Sequence, residues 1–397
     1  MADGLAGRAS IVGVGESPIG NVGLSALGLM AVAGREALDD AGLTKSDIDA
    51  VLATESYVKP YNRLGSQFGE YFGLPKGVRY QESLSSGSGL AGGYGVHYAA
   101  AFVAAGLCDT VMVVMGDNLL SNTSRDVAVQ TISENYEREF GIPYGPIVAT
   151  RYAWMAQQYM AQYGVTREQL SAVAVSARQW AALNPKALKR EPLDLEGVTA
   201  SKVISTPLHM LDCSLVSDGG AAVIVTRSEN VPDPARAVAV TGVGASFGNG
   251  EFAYDDITNL PDLVDQGQGL AAERAFSMAG MTADDIDLAY IYDCFSIMVL
   301  IELEGLGLCG RGEAAKFVAE GGIAPGGALP TNTHGGLLSF AHPAKPGGLF
   351  MFTEAVLQLR GEAGERQVAG AGSAMVKGHM AHCAGHPVTI LTHGANA

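Results

Sequence analysis

The chain has 397 residues, of which 48% are apolar and 17% charged. That is enough for two packed domains around a large buried core, and it excludes an intrinsically disordered chain. A balance of 25 basic against 41 acidic residues, net −16, excludes nucleic acid and anionic membrane as partners; an anionic small ligand would need a local basic patch.

The N-terminal stretch MADGLAGRASIVGVG lacks a basic region leading into an apolar one, and no apolar run reaches membrane-span length. A soluble, cytoplasmic protein is expected. The five cysteines (Cys108, Cys213, Cys294, Cys309, Cys383) are odd in number and scattered, so no disulfide framework is expected.

Two internal matches organise the chain. IVGVGES (11–17) returns as VTGVGAS (240–246), and AGLTKSDID (41–49) returns as AGMTADDID (279–287), at offsets of 229 and 238 residues. Each copy of AG-(Leu/Met)-Thr-x-x-Asp-Ile-Asp follows an amphipathic stretch, LMAVAGREALDD or LAAERAFSM. The glycine after that stretch signals a helix end, and Thr-x-x-Asp starts a short turn. A short apolar run, AVLA or LAYIY, follows each time and reads as a buried strand. Strand, helix, strand at this spacing is the unit of a mostly parallel sheet. The chain therefore reads as a duplicated α/β fold, with halves at 1–232 and 233–397 and the seam in SENVPDPARAV (228–238). An excursion over about 118–206, holding YAWMAQQYMAQYG and REQLSAVAVSARQWAAL, reads as an inserted lid or substrate loop.

Four corners carry candidate chemistry. In ESLSSGSGLAGG (82–93), Ser86 follows a short strand and precedes a glycine-rich helix start. That corner offers backbone N–H donors and the positive end of a helix dipole. Small residues there serve close helix packing equally well. NTHGGLLSFAHPAKPGG (332–348) occupies the equivalent place in the second half and supplies His334 and His342. In YIYDCFSIMVL (290–300), Tyr292, Asp293 and Cys294 stand where a buried strand gives way to a helix, the usual address of active-site groups in α/β sheets. Tyr292 suits acid–base work, Asp293 a helix N-cap, and Cys294 either filler or nucleophile. GHMAHCAGHP (378–387) contributes His379, His382, Cys383 and His386. Nothing in its glycine-bounded loop fixes four ligands tetrahedrally, so no metal is expected.

With these corners in hand, the chain resembles the thiolase superfamily over nearly its whole length. It is most similar to the sterol-carrier-protein-type thiolases and the thiolase-like steroid side-chain aldolases. The resemblance rests on IVGVGES, NPKA, LDCSLVSDGGAAVIVT, YDCFS, LEGLGLCGRGEAAKFV and NTHGGLLSFAHP. It implies the duplicated thiolase fold, two βαβαβαββ halves in five layers (αβαβα), a homodimer, and acyl-CoA substrates with coenzyme A as part of the substrate and no bound cofactor. The aldolase branch further implies a small zinc-ribbon/OB-fold acyl-CoA-binding partner protein.

The departures set the functional expectation. Ser86 stands where such thiolases carry their nucleophilic cysteine, Tyr292 where the sterol-carrier branch has histidine, and Ala341-His342-Pro343 where it has Gly-His-Pro. Aldolase relatives have tyrosine at both the Tyr292 and the His342 positions. An acyl-serine is more stable than the thioester that made it, so returning the acyl group to coenzyme A is uphill and reversible thiolysis is disfavoured. Retro-aldol cleavage of a β-hydroxyacyl-CoA needs only a base and an oxyanion site. Tyr292 and His342 are therefore expected as the acid–base pair with Ser86 lining the site, and Asp293, His334 and His386 as substrate-binding residues. The alternatives are acyl transfer through an atypical nucleophile (Ser86, Cys294 or Cys383) and a non-catalytic scaffold subunit. The basic residues of NPKALKRE, Lys186, Lys189 and Arg190, read as a solvated turn rather than a phosphate site.

Overall fold

The computed structural model describes residues 4–85, 87, 89–124, 127, 139, 147–248, 266–379 and 385–393. Short apolar runs form the strands β1 (Ala9–Glu16), β2 (Ala50–Thr54), β3 (Tyr80–Leu84), β4 (Thr110–Asn118), β5 (Val203–Ser205), β6 (Leu208–His209), β7 (Asp218–Arg227), β8 (Val238–Gly244), β9 (Leu288–Ile291), β10 (Ser373–Lys377) and β11 (Val388–Thr392). The helices are α1 (Ala26–Ala41), α2 (Leu64–Phe72), α3 (Leu90–Ala104), α4 (Leu119–Asn122), α5 (Val148–Tyr163), α6 (Arg167–Ala182), α7 (Leu195–Thr199), α8 (Gln268–Ala279), α9 (Ser296–Gly305), α10 (Ala314–Ala319) and α11 (Gly347–Leu359). Strands β2, β4, β9, β10 and β11 are buried along nearly their whole length, as strands covered by helices on both faces must be.

The main sheet runs β3-β2-β4-β7-β1-β8-β11-β10-β9. Its two halves mirror one another about the β1–β8 seam, where only Ser10 with Ala239 and Ile11 with Val238 pair. Helix α1 covers β1, β7 and β4 on the outside of the first half, and α8 covers β8 and β11 on the outside of the second. Helices α3 and α11 lie between the halves: α3 reaches across to β11, α11 reaches across to β7, and each packs on the other. This is the expected five-layer arrangement.

The repeated turns are structurally the same. Helices α1 and α8 both end on a left-handed glycine, Gly42 at φ 66° and Gly280 at φ 65°. Each is followed by a capped turn in which Thr44 with Asp47, or Thr282 with Asp285, bond reciprocally. The halves differ at their third strand. Strand β2 pairs with a full β3, whereas β9 meets only a bridge between Ala289 and Thr331. Pro330 and the positive φ of Asn332 (52°) close off a longer strand. The Asn332 amide replaces it, accepting from the Ile291 N–H at 2.9 Å and donating to the Ile291 carbonyl at 2.8 Å.

Helices α4 to α7 and the β5–β6 hairpin sit between β4 and β7. Tyr152, Met155 and Tyr159 of α5 are buried, and Tyr159 hydrogen-bonds Glu304 of α9, so this stripe is largely core. Among the described residues no helix is long and apolar enough to cross a membrane.

The inner helices meet through glycine. A Cβ on Gly92 of α3 would collide with the carbonyl of Gly348 in α11. Because that obstacle is backbone, Gly92→Ala should cost about 1–3 kcal/mol, seen as a lower thermal midpoint. An unchanged midpoint would show that the two helices do not rest on each other here.

Candidate active site

Strands β9 and β10 run parallel, with Ile291 beside Lys377, and the chain leaves β9 through Tyr292, Asp293 and Cys294. The Tyr292 N–H donates to the Lys377 carbonyl at 3.1 Å, which fixes the corner. Helix α9 begins at Ser296 with Phe295 in the cap position and no side-chain cap, so Asp293 is not the N-cap the sequence suggested. Its carboxylate instead accepts from the Leu337 N–H at 2.8 Å and the Leu338 N–H at 3.4 Å. Those residues open a π-type turn, Gly336–Phe340, whose first residue is glycine at φ 63° because a Cβ there would strike the Asp293 carboxylate. Asp293 thus ties the 332–342 loop to the end of β9. Burial pushes its carboxyl up to about 7, against the lowering effect of the bonds from Leu337 and Leu338.

That loop delivers His342 to Tyr292. Tyr292 Oη lies 2.8 Å from His342 Nε2 and 3.2 Å from the Ala344 carbonyl, and Ser214 Oγ lies 2.9 Å from His342 Nδ1. The Leu215 carbonyl also faces the imidazole, which favours the proton on Nδ1 and leaves Nε2 to accept from the phenol. Burial pulls His342 down to about 4, so the imidazole is neutral near pH 7; solvent at its partly exposed edge softens the shift.

The frame for this pair is Cys213–Ser217, a segment that the sequence marked only as part of the family resemblance and not as part of a site. The Ser214 N–H donates to the Cys294 carbonyl (2.9 Å), the Leu215 N–H to the Leu337 carbonyl (3.0 Å) and the Ser217 N–H to the His342 carbonyl (3.2 Å). The His342 N–H returns to Ser217 Oγ at 3.1 Å. One extended segment therefore laces both loops together. The sequence signal for it was slight, since serines beside LVSDGG carry no spacing that marks them.

Both inner helices begin against the pair. A Cβ on Gly89 would lie 2.6 Å from the Tyr292 ring, and one on Gly347 would lie 3.2 Å from His342 Cδ2. Two positive helix ends therefore face the phenol and imidazole, where a developing oxyanion would be stabilised.

A second group lies on the far side of Tyr292. His379 packs edge-on to the Tyr292 ring at 5.2 Å. Its Nε2 is 3.3 Å from Cys294 Sγ and 3.4 Å from Tyr152 Oη, and its Nδ1 is 3.9 Å from Glu302 Oε1. Glu302 in turn pairs with Lys377 at 2.6 Å, with both side chains buried. Burial and the Lys377 charge hold His379 well below its usual range.

The other expected residues fall as follows. His334 is buried between Tyr290 and Phe340, with neither ring nitrogen hydrogen-bonded and burial drawing it down to about 3. Its carbonyl accepts from Asn184 Nδ2, which gives the NPKA stretch a structural role. His386 is buried, with its backbone N–H on the Ser246 carbonyl at 2.9 Å. Lys186 is committed to Glu16 at 3.1 Å and Arg190 to the Ala182 carbonyl. Ser86, His382 and Cys383 lie outside the described residues. Among the described residues no group of three or more His, Cys, Asp or Glu is arranged to hold a metal ion. An open depression of about 580 Å³ between α1, α2 and the β2–α2 loop, with Lys59, Tyr61 and Tyr71 on its walls, lies apart from the Tyr292–His342 pair and holds no paired acid and base.

Comparison with known proteins places this geometry. Residues 9–206 match the family model described as thiolase, N-terminal domain, and residues 250–393 match thiolase C-terminal domain-like. The chain is 34% identical to a steroid side-chain-cleaving aldolase of Thermomonospora curvata over 90% of this chain and 91% of the relative. It is 33% identical to an acetyl-CoA acetyltransferase of Methanothermobacter thermautotrophicus over 91% and 93%. The solved Ltp2-ChsH2(DUF35) aldolase superposes with a TM-score of 0.84 at 31% identity, covering 98% of each chain.

Because burial raises the Asp293 carboxyl from 3.8 to about 7, the folded protein holds this proton more tightly than the unfolded chain does. Its contribution to stability is full below about pH 4 and is lost as the pH rises through about 7. Asp293→Asn removes that titration. Relative to the variant, the wild-type thermal midpoint should therefore fall between about pH 4 and 7; a constant difference across that range would mean that the folded carboxyl ionises at its ordinary value near 3.8.

Proposed function

The chain belongs to the thiolase family, and from that premise we propose that it cleaves a carbon–carbon bond in a β-hydroxyacyl-CoA by retro-aldol chemistry, without a covalent intermediate. The observation that carries this reading is the 2.8 Å contact between Tyr292 Oη and His342 Nε2. A neutral imidazole that accepts from the phenol prepares Tyr292 to take the substrate's β-hydroxyl proton as its own passes to His342. The Cα–Cβ bond then breaks, the β carbon leaves as a carbonyl compound, and the electron pair forms the thioester enolate. The converging starts of α3 and α11 suit that enolate oxygen. His342, now protonated, returns its proton through Tyr292 to Cα. Ser214 holds the imidazole in the orientation both transfers require.

The substrate class is supported by relatives named for coenzyme A thioesters and for steroid side-chain cleavage, and Tyr292 favours cleavage over acyl transfer. Ser86 enters the reading as a lining residue, through its place before α3 in the sequence. A partner protein is part of the proposal. Several described cations are already paired, Lys186 with Glu16, Arg236 with Asp40 and Glu362, and Arg366 with Glu354. Phosphates of coenzyme A would therefore be met in part by a second component, and the solved aldolase carries one in its own name. A homodimer, as the family resemblance implies, is part of the same proposal.

With β-hydroxyacyl-CoA substrates, release of the carbonyl compound should fall by about 10²–10⁴-fold in kcat for Tyr292→Phe and for His342→Ala. Ser214→Ala should lower kcat by about tenfold with KM little changed, as expected when only orientation is lost. Undiminished cleavage by Tyr292→Phe, or an acyl adduct on Ser86 forming at the rate of turnover, would overturn the mechanism.

A further inference from the structure

The retro-aldol makes no use of Lys345, three residues past His342 on the same loop. Ala344 stands in the left-handed region at φ 60°, an uncommon conformation for a residue with a side chain. Its carbonyl accepts from Tyr292 Oη at 3.2 Å, and Lys345 then turns to the corner that follows β2 in the first half. The Lys345 ammonium lies 4.8 Å over the Tyr57 ring, beside the small apolar cluster that Tyr57 and Val58 make with Leu119 and Ala344. Only 7% of the residue reaches solvent. Among the described residues its Nζ has no hydrogen bond and no ion pair, whereas Lys377, also buried, has Glu302 and the Gly378 carbonyl.

A buried ammonium without acceptors is costly, and it is relieved by losing its proton or by a ligand that completes it. Burial holds Lys345 below its ordinary range, against the opposing pull of Glu55 and Asp117. Those two carboxylates decide between ligands. Asp117 is fixed in place, accepting from Ser56 Oγ, the Tyr57 N–H and the Asn118 N–H. An anion brought to Lys345 would meet both carboxylates. A neutral carbonyl compound carries no charge to repel, and a cation formed on Nζ would be favoured by both. We propose that Lys345 is a second reactive group, an amine nucleophile that captures an aldehyde as an imine. This goes beyond the retro-aldol reading and rests on it only for the source of the aldehyde.

The step balances without an oxidant or reductant. Nζ, as the free amine, bonds to the carbonyl carbon, the carbon–oxygen bond breaks, and the oxygen leaves as water with both amine protons. The imine nitrogen then takes a proton from solvent, and its positive charge faces Glu55 and Asp117. Addition of water reverses the sequence and frees the aldehyde. Held as an imine, an aldehyde released beside Tyr292 cannot recombine with the enolate, so cleavage is drawn forward. Lys345 is the reacting group; Glu55 and Asp117 act on it through their charge.

The test adds free propanal and sodium cyanoborohydride to the full chain near neutral pH, which fixes any imine as a propyl amine, and maps the label by peptide mass spectrometry. The expected result is early labelling of Lys345 at about ten times the rate of Lys316, a surface lysine whose side chain is 74% exposed. Lys345→Arg keeps the positive charge beside Asp117, so it should fold with an unchanged melting profile and take up label only at the surface rate. Inorganic phosphate should leave the labelling of Lys345 unchanged. Labelling no faster than that of Lys316, or early uptake by the folded Lys345→Arg variant equal to wild type, overturns the proposal; Lys345 then serves only to offset the Asp117 charge. Protection of Lys345 by phosphate overturns it in favour of an anion site. Propanal is supplied free, so these failures leave carbon–carbon cleavage untouched. Labelling of Lys345 in a protein that cleaves no β-hydroxyacyl-CoA upholds the amine centre and counts against the retro-aldol reading, so the two fail separately.

Discussion

The cleft depends on backbone meeting backbone where two helices begin. Gly92 rests on the Gly348 carbonyl, Gly378 rests on the Gly89 carbonyl, and Gly89 lies against the Tyr292 ring. A single added methyl at any of these points would part the inner helices or lift the phenol. The hydrogen bond between Tyr292 and His342 requires both side chains to stay within 2.8 Å, and its partners come from different loops of the second half. The glycines of the first half set the floor on which those loops close, so both halves build the candidate site although the sequence repeats between them.

A dry, nearly neutral interior is the second constraint. Burial lowers His342, His334 and His379 and raises Asp293, while Glu302 and Lys377, a buried charge pair beside the site, offset one another. The His342 and His379 imidazoles are therefore neutral near pH 7. In such surroundings a fixed dipole counts for more than it would in water. The starts of α3 and α11 lie against the Tyr292–His342 pair, where the positive end of a helix dipole would suit a developing oxyanion.

Much of the fold was legible from the sequence because its signals were local. The AG-x-Thr-x-x-Asp repeats specified a left-handed glycine and a capped turn, and both copies form them. The loop corners bearing Tyr292 and His342 were legible for the same reason, the first as the end of a short apolar strand and the second by its glycines and prolines. The contacts that set their chemistry were not. Ser214 reaches His342 from 128 residues away and Cys294 reaches His379 from 85, distances over which periodicity says nothing. Asp293 shows the opposite failure. A carboxylate just ahead of a helix reads locally as its cap, but the buried N–H groups of Leu337 and Leu338 offered a better partner than the first turn of α9. The shortened third strand of the second half was hidden likewise, because the amide that replaces it belongs to Asn332, a residue whose type suggests only a turn.

The duplication also explains why chemistry gathers in one half. In the mirrored sheet order β2 corresponds to β9 and β4 to β10, so the residues after β2 are the counterparts of Tyr292 and its neighbours. In the first half that corner is closed. Asp117 at the end of β4 accepts from Ser56 Oγ at 2.8 Å and from the Tyr57 N–H at 2.7 Å, so a buried carboxylate pins the corner directly. In the second half the end of β10 carries Lys377, whose ammonium turns to Glu302 on α9 and whose carbonyl accepts from the Tyr292 N–H. Moving the pin from side chain to backbone frees the corner's side chains: Tyr292 turns to His342, and Cys294 to His379. One half pins the corner through a side chain and the other through backbone, which leaves Tyr292 and Cys294 to turn to partners outside it.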